Sequence, residues 1–523
     1  MLIIPSGILF AVEETANSSP AEISILWVLP FVGILLCIAI IPLINAHFWE
    51  KNLWWISLGV FCIPMAVIFS VFMGEQLRHM TFEKALEYLS FITLLASLFT
   101  ISGGILIKGK LKGSPIVNTV FLLIGSVIAS IVGTTGASML LVRPLIRANS
   151  GRTSKAHVII FFIFLVSNIG GLLTPLGDPP LFLGYLQGVP FLWTLRLFPQ
   201  WAITSAIVLA VFFVFDLYKF RKEKGLMTDA PIEEYDDDDA GTPSYEDIKR
   251  DLDNSLDLLD LNTMTETKRI NKRVIVSARD YIKSALKKID WLRLGGRDAD
   301  DVGKGKLRIE GKLNLILLAG VVACIFGQGV MIKQFPGSWP HFGPQEGGML
   351  LLTALSLLIT PPKSELRTQN GFTFGPIKEV AYLFAGIFAA MIPALYILEH
   401  KGSALGIIEP WQFFWATGSL SSFLDNAPTY LTFLSVAKGL NLPNDLGFVL
   451  NDGKGLSTAV LSAISCGAVF MGANSYIGNG PNFMVRSIAE ENGIKMPSFF
   501  GYMVYSMLVL IPTFILITFI FFV

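Results

Sequence analysis

An all-α polytopic membrane fold is predicted by three observations. The 523 residues are 53% hydrophobic and only 15% charged, too apolar for a soluble chain of this size. Charge is concentrated in one place, because residues 221–312 hold 19 of the 40 Lys/Arg and 21 of the 40 Asp/Glu. On either side of that stretch, apolar runs long enough to cross a bilayer follow one another.

In chain order, residues 1–23 form an N-terminal segment. Its first dozen residues are apolar but lack a basic start, so it reads as a remnant signal rather than a span. Ten spans are expected at 24–45, 52–74, 87–107, 156–183, 201–220, 312–331, 346–361, 378–398, 457–485 and 499–523. Two further apolar stretches, 116–147 and 411–438, are interrupted midway by polar, Gly or Pro residues. They suit either bent spans or re-entrant hairpins, and charge favours hairpins. Lys108, Lys110 and Lys112 precede the first stretch, and Arg143, Arg147, Arg152 and Lys155 end or follow it. The positive-inside rule puts both flanks in the cytoplasm. Following the spans onward returns the chain to the cytoplasm at Arg221, Lys222 and Lys224. The second half then starts inside at Lys312, so 411–438 begins and ends outside.

The expected domains are therefore 24–220, a first membrane repeat, and 312–523, a second and inverted one. Between them lies a cytoplasmic linker, 221–311, partly disordered. It carries an acidic run from Glu233 to Asp239 and a basic amphipathic helix from Val274 to Leu294, suited to the inner membrane surface. The repeat has sequence support at a constant offset of 301. Gly171, Thr174, Gly177, Asp178 and Pro180 face Gly472, Ser475, Gly478, Asn479 and Pro481. Matched Gly/Pro-rich breaks in corresponding apolar segments point to a midplane binding site in a secondary transporter.

The chemistry is expected at those breaks and at the hairpin tips. A break frees amides at one half-helix start and carbonyls at the other's end, the first suited to anions and the second to Na⁺. For a single break, the alternative is a kinked helix satisfied by its neighbours. Candidate ligands are Ser167, Asn168, Thr174 and Asp178 in the first half, and Asn474, Ser475, Asn479 and Asn482 in the second. Gly171, Gly177, Pro179, Pro180, Gly478, Gly480, Pro481 and Pro428 shape the breaks. The first tip offers Thr134 and Thr135; the second offers Ser422, Asp425, Asn426 and Thr429. A carboxylate at bilayer depth costs about 2.5–3.5 kcal/mol on insertion scales, which makes Asp425 the leading ion-binding residue. Na⁺ is expected at Asp425, Asn426 and Ser475. Asp178, ahead of two prolines, also suits a helix N-cap. Arg143 and Arg486 are expected to snorkel to the interface or anchor the topology.

Cys37, Cys62, Cys324 and Cys466 lie in apolar runs at unrelated spacings and suggest neither disulfide nor metal site. Walker A, H-E-x-x-H and G-x-S-x-G patterns do not occur, so neither an enzyme nor an ATP-driven pump is expected. No cofactor is expected beyond transported or coupling Na⁺ and H⁺, and no nucleic-acid partner.

With these residues in hand, the chain resembles the ion transporter superfamily, over roughly 87–220 and 376–523. Gly170-Gly171…Thr174-Pro175-Leu176-Gly177-Asp178 is similar to the Gly-Gly-x-x-Ser/Thr-Pro-x-Gly-Asp stretch of NhaD-type sodium/proton antiporters. Ser421-Ser422-Phe-Leu-Asp425-Asn426-Ala-Pro428 resembles their second hairpin. Gly177-Asp-Pro-Pro and Gly478-Asn-Gly-Pro-Asn482 are similar to the Gly-Thr-Pro-Pro-Asn breaks of sodium-coupled dicarboxylate carriers. The paired Ser-Asn-Thr tips of those carriers are missing, and Gly-Thr-Thr-Gly replaces the antiporters' first Asp-Asn pair. The resemblance implies a homodimer in a bacterial inner membrane, working by an elevator motion. Its expected activity is sodium/proton antiport, the alternative being sodium- or proton-coupled citrate or dicarboxylate transport.

Overall fold

The computed structural model describes residues 24–71, 75–108, 112–228, 308–335, 342–370, 372–440 and 443–523. Among these, seven helices are long and apolar enough to cross a bilayer. Counting the pair Gly375–Ala390 and Ile392–Leu405, bent by 44°, as one span gives eight. The chain is a helical polytopic membrane protein. Three of the ten expected spans hold shorter apolar helices, Ile25–Ile38, Pro344–Ile359 and Thr458–Asn474. At 1.5 Å per residue even the longest reaches about 26 Å, below the ~30 Å of a hydrocarbon core.

The first half opens with α1 (Leu29–Ile44), then α2 (Ala46–Trp54), which runs through a π-helical stretch, Trp55–Cys62, into α3 (Ile63–Val71). A long helix, α4 (Glu75–Gly103), follows. The interrupted stretch after it forms α5 (Pro115–Val132) and α6 (Thr134–Ala148), joined by Gly133 alone. Gly133 has φ 82°, a conformation that side chains rarely allow. Gly113 N–H donates to the Ala148 carbonyl at 2.7 Å, so the start of α5 and the end of α6 meet. This is hairpin geometry. Next come α7 (Ala156–Leu165), a short 3₁₀ turn (Ile169–Leu173), α8 (Pro179–Leu186) and α9 (Phe198–Thr228).

The second half contains α10 (Lys312–Gln334), α11 (Pro344–Ile359), the short α12 (Glu365–Gln369), α13 (Gly375–Ala390) and α14 (Ile392–Lys401). Its interrupted stretch forms α15 (Pro410–Ser421) and α16 (Asn426–Gly439). The broken segment that follows is α17 (Thr458–Met471), a 3₁₀ turn (Gly472–Asn474) and α18 (Gly480–Glu491); α19 (Phe499–Phe521) ends the chain. Prolines stand in the first turns of α8 and α18, where a missing N–H costs nothing, so they start half-helices instead of interrupting them.

Burial sorts these helices. In α7 the residues His157 to Leu165 are all buried, and in α17 so are Val460 to Met471. A helix apolar all round belongs in an interior. By contrast only 22% of the apolar window of α10 is buried. The chain elements that carry the breaks thus form the centre of the molecule.

Two boundaries differ from the expected domains. Helix α9 continues to Thr228, past the expected end of the first repeat. Residues Arg308–Glu310, placed in the linker by the sequence, form a strand that pairs antiparallel with Leu106–Lys108, Ile107 opposite Ile309. This short strand pair is a local addition to a chain that is otherwise helical among the described residues. The acidic run 233–239 and the amphipathic segment 274–294 lie outside the described residues.

One buried cation braces the second half. Arg367 in α12 donates to the carbonyls of Thr100 and Thr360, both at 2.6 Å, and lies over the Phe372 ring. It thereby meets the negative C-terminal ends of α4 and α11, a favourable place for a cation. Burial pushes its guanidinium down to about 10.

Candidate functional site

The two breaks have the same internal construction. In the first, Gly177 lies so close to Gly171 that a Cβ there would meet the Gly171 carbonyl oxygen at 2.1 Å. In the second, a Cβ on Gly478 would meet the Gly472 carbonyl oxygen at 2.6 Å. Each break is also locked to a hairpin. Thr174 Oγ1 donates to the Ser130 carbonyl and accepts from Leu176 N–H at 3.2 Å. Ser475 Oγ donates to the Ser422 carbonyl at 2.5 Å and accepts from Ile477 N–H at 3.2 Å. A Thr in one half and a Ser in the other perform the same double bond.

The carbonyls freed by the breaks find internal donors. Asn482 Nδ2 reaches the carbonyls of Gly472 (2.8 Å) and Ser475 (2.9 Å). Tyr502 and Ser506 of α19 donate to those of Ala473 and Asn474, each at 2.8 Å. Thr194 donates to Leu173 at 3.0 Å, Asn168 to Ile163 at 2.8 Å and Asn479 to Ser167 at 3.1 Å. Such partners let irregular backbone lie at membrane depth.

Asp178 is where the two halves meet. It is 1% exposed. Oδ1 accepts from Thr134 Oγ1 at 2.8 Å and from Asn479 Nδ2 at 3.1 Å; Oδ2 accepts from Asn426 Nδ2 at 2.5 Å. Thr134 is the first residue of α6, Asn426 the first of α16, Asn479 the N-cap of α18 and Asp178 the N-cap of α8. Four half-helix starts, each carrying roughly half a positive charge, converge on one carboxylate. Together with the three donors they replace the water that the group loses on burial.

Asp425 has a different place. It is half-buried, and its Oδ1 accepts from Ala427 N–H at 3.0 Å, capping α16. Thr429 donates to its carbonyl at 2.9 Å. The capping role that the sequence allowed for Asp178 is thus performed by Asp425, while the Asp178 side chain makes no cap bond to its own helix. The tip proline, Pro428, is buried in the first turn of α16.

Of the remaining candidates, Ser167 and Asn168 reach Asp178 through Asn479. Asn168 donates to Asn482 Oδ1 at 2.8 Å and accepts from Asn479 at 3.2 Å, so the two breaks are stitched by amides. Ser167 shares a 2.8 Å bond with Ser138. Asn474 donates to Ser422 Oγ at 2.9 Å. Two buried amide oxygens, Asn426 Oδ1 and Asn474 Oδ1, have no protein partner. Gly480 is exposed, with open space beside it, and needs no glycine for packing. Arg143 and Arg486 stay away from Asp178. Arg143 donates to the Asn370 carbonyl at 2.7 Å, and Arg486 to Glu490 at 3.0 Å.

A cavity of about 60 Å³ adjoins Asp178. Its polar wall is Gly133 to Gly136, Gly177 and Asp178; its apolar wall comes from α4, Phe91 to Phe99, with Phe182 and the start of α13. A water needs about 10–15 Å³ on this measure, so the space has room for a few waters beside Asp178, while most of its lining is apolar.

Sequence reasoning missed Ser130, whose hydroxyl donates to the Gly170 carbonyl and accepts from Leu173 N–H at 3.3 Å. Its counterpart Ser422 lies 292 residues on (422 − 130), not 301. The hairpin-to-break connections differ in length, so a constant offset could align the breaks or the hairpins but not both.

This architecture agrees with the comparison to known families. The chain matches a protein-family model described as "Putative citrate transport" (CitMHS_2) over residues 20–241 and 289–522. It belongs to that family. Among curated proteins, none matches the chain. Family membership and the helical membrane fold make it a multi-pass secondary transporter of the citrate and ion transporter kind.

Proposed function

We propose that the protein exchanges Na⁺ for H⁺ across the membrane, with Asp178 as the carboxylate for which the two ions compete. One observation carries this reading: a buried acid ties both breaks and both hairpin tips together, and none of its bonds comes from Lys or Arg. In the charged form the carboxylate accepts from Thr134, Asn426 and Asn479. A proton would turn one oxygen into a donor, so one of those contacts has to let go or, at Asn426, reverse by turning the amide to present its unpartnered Oδ1. Na⁺ would instead be met by carboxylate oxygen, with the Thr134 hydroxyl and the unpartnered Asn426 Oδ1 as further hard ligands and Asp425 as a second charge. Because Asp178 touches both halves, a change of occupant is felt at both hairpins together, which couples binding to alternating access.

The matched construction of the breaks supports an inverted repeat, and the superfamily resemblance adds a homodimeric elevator. The basic flanks of the first hairpin support a bacterial inner-membrane orientation with 221–311 in the cytoplasm. A second reading is citrate-type carboxylate transport coupled to Na⁺ or H⁺. It is favoured by the family's description.

The test is reconstitution in liposomes with an internal pH dye and an imposed proton gradient. Addition of Na⁺ or Li⁺ alone should dissipate the gradient. Silence to cations alone, with gradient-dependent uptake of labelled citrate, would reject antiport and support the second reading.

A further inference from the structure

A second polar constellation lies along the same helices, away from Asp178. Lys84 and Glu87 on α4 form an ion pair at 2.8 Å, and Lys438 at the end of α16 pairs with Asp452 at 2.9 Å. Gln187, the C-cap of α8, bridges them. Its Nε2 donates to Glu87 Oε1 at 2.8 Å, and its Oε1 accepts from Lys438 Nζ at 2.8 Å. Lys84 and Lys438 are 8% and 6% exposed. The chain Lys84–Glu87–Gln187–Lys438–Asp452 therefore runs as a continuous seam between α4 and the ends of α8 and α16, its lysines buried, Glu87 and Gln187 half-buried and Asp452 exposed at one end.

Its location gives it meaning. Helices α8 and α16 both begin at Asp178, and the seam joins their far ends, about 12 and 18 Å along the helices. On α4 the cavity wall runs from Phe91 to Phe99, and the seam lies one turn before it. The cavity lies at one end of α8 and the seam at the other. Asn451 ties to α8 as well, N–H to the Gln187 carbonyl at 3.0 Å and Nδ2 to the Leu186 carbonyl at 2.8 Å. With Asp452 next in sequence, α8, α16 and this loop form one body facing α4.

We propose that this seam is the gate closing the ion pathway beyond the cavity, at the end of α8 away from Asp178, and that the Glu87–Gln187 bond is where it parts. Each ion pair stays on its own side of that bond, Lys84 with Glu87 and Lys438 with Asp452. Parting exchanges hydrogen bonds to a neutral amide for bonds to water, and uncovers no unpaired charge. A packed apolar contact would have no such replacement. The inference rests on the alternating-access reading, whichever substrate is carried.

The test uses Glu87→Cys with Gln187→Cys, the four native cysteines replaced by alanine, in proteoliposomes. Transport is measured before treatment with a short, reducible bis-methanethiosulfonate, after it, and after reduction. Na⁺/H⁺ exchange is the readout, or citrate uptake where exchange is absent, so failure of the antiport reading is seen separately. Cross-linking should bring transport to the level of empty vesicles, and reduction should restore it. Undiminished transport by fully cross-linked protein overturns the proposal. Should the double variant be inactive before cross-linking, Gln187→Leu with Phe182→Cys decides. Loss of a bond to a charged group should speed labelling of position 182 by an impermeant thiol reagent about tenfold, from one side of the membrane. An unchanged rate from both sides overturns the gate.

Discussion

Replacing Asp178 by Asn separates its electrostatic role from its packing role. The side chains are nearly the same size, and Oδ1 can still accept from Thr134 and Asn479. The conflict arises at Oδ2, where the new NH₂ would face the Asn426 NH₂, now 2.5 Å away. Asn426 can resolve it by turning its amide, since its Oδ1 has no partner to lose. The stability change is then the loss of charge assistance in three bonds, about 1.5–4.5 kcal/mol from ~0.5–1.5 per bond, less the desolvation cost of a buried carboxylate that the amide escapes. Asp178→Ala differs, because it leaves three buried donors unpaired at about 1–3 kcal/mol each, some 3–9 kcal/mol in all. That approaches the whole stability of many domains. Fluorescence-detected size exclusion and a thermal-shift series should therefore find Asp178→Asn folded and moderately weakened, and Asp178→Ala poorly recovered. In pH-dye liposomes Asp178→Asn should match empty vesicles, since no carboxylate remains for Na⁺ and H⁺ to share. Wild-type exchange by folded Asp178→Asn would refute the assignment.

Asp425→Asn should retain the α16 cap, because Asn and Asp cap equally well, and stay within about 0.5 kcal/mol of wild type. Its lost charge should raise the Na⁺ concentration for half-maximal exchange about tenfold, or ~1.4 kcal/mol; an unchanged Na⁺ dependence would remove Asp425 from the ion site. Gly177→Ala drives a methyl into the Gly171 carbonyl oxygen and should cost more than about 2 kcal/mol. Gly480→Ala meets nothing within 4 Å and should be neutral within about 0.5 kcal/mol, which thermal shifts will show. At Asp452, burial acts upward, but Lys438 beside it and hydrogen bonds from Lys438 and Lys454 prevail and hold the carboxyl below its ordinary value. A depressed acid stabilises the fold above its unfolded pKa of about 3.9 and loses that contribution as pH falls through the folded value. The stability cost of Asp452→Asn should consequently be constant between pH 5 and 8, as thermal melts at several pH values can check.

By itself the sequence was sufficient for the membrane class, the paired breaks and the hairpin positions. Each of these rests on local properties: the length of apolar runs, Gly and Pro where a helix cannot continue, and basic residues flanking an interrupted stretch. It also selected the polar residues that cluster at the site, Thr134, Asp178, Asn426 and Asn479 among them, because a buried polar group in an apolar segment is costly enough to mark itself. Their division of labour was not legible. Asp425 and Asp178 have the same side chain, and both precede or sit near proline at a helix start. Whether such a carboxylate turns back to cap its own helix or reaches out to other elements depends on what stands opposite. For Asp178 the opposing groups come from residues 134, 426 and 479, up to 301 positions away from it in the chain. Ser130 and the Gln187 seam escaped for the same reason: a lone serine or glutamine carries no local cost that would single it out. Only the packing of the two halves against each other decided which acid became the meeting point of four helix ends.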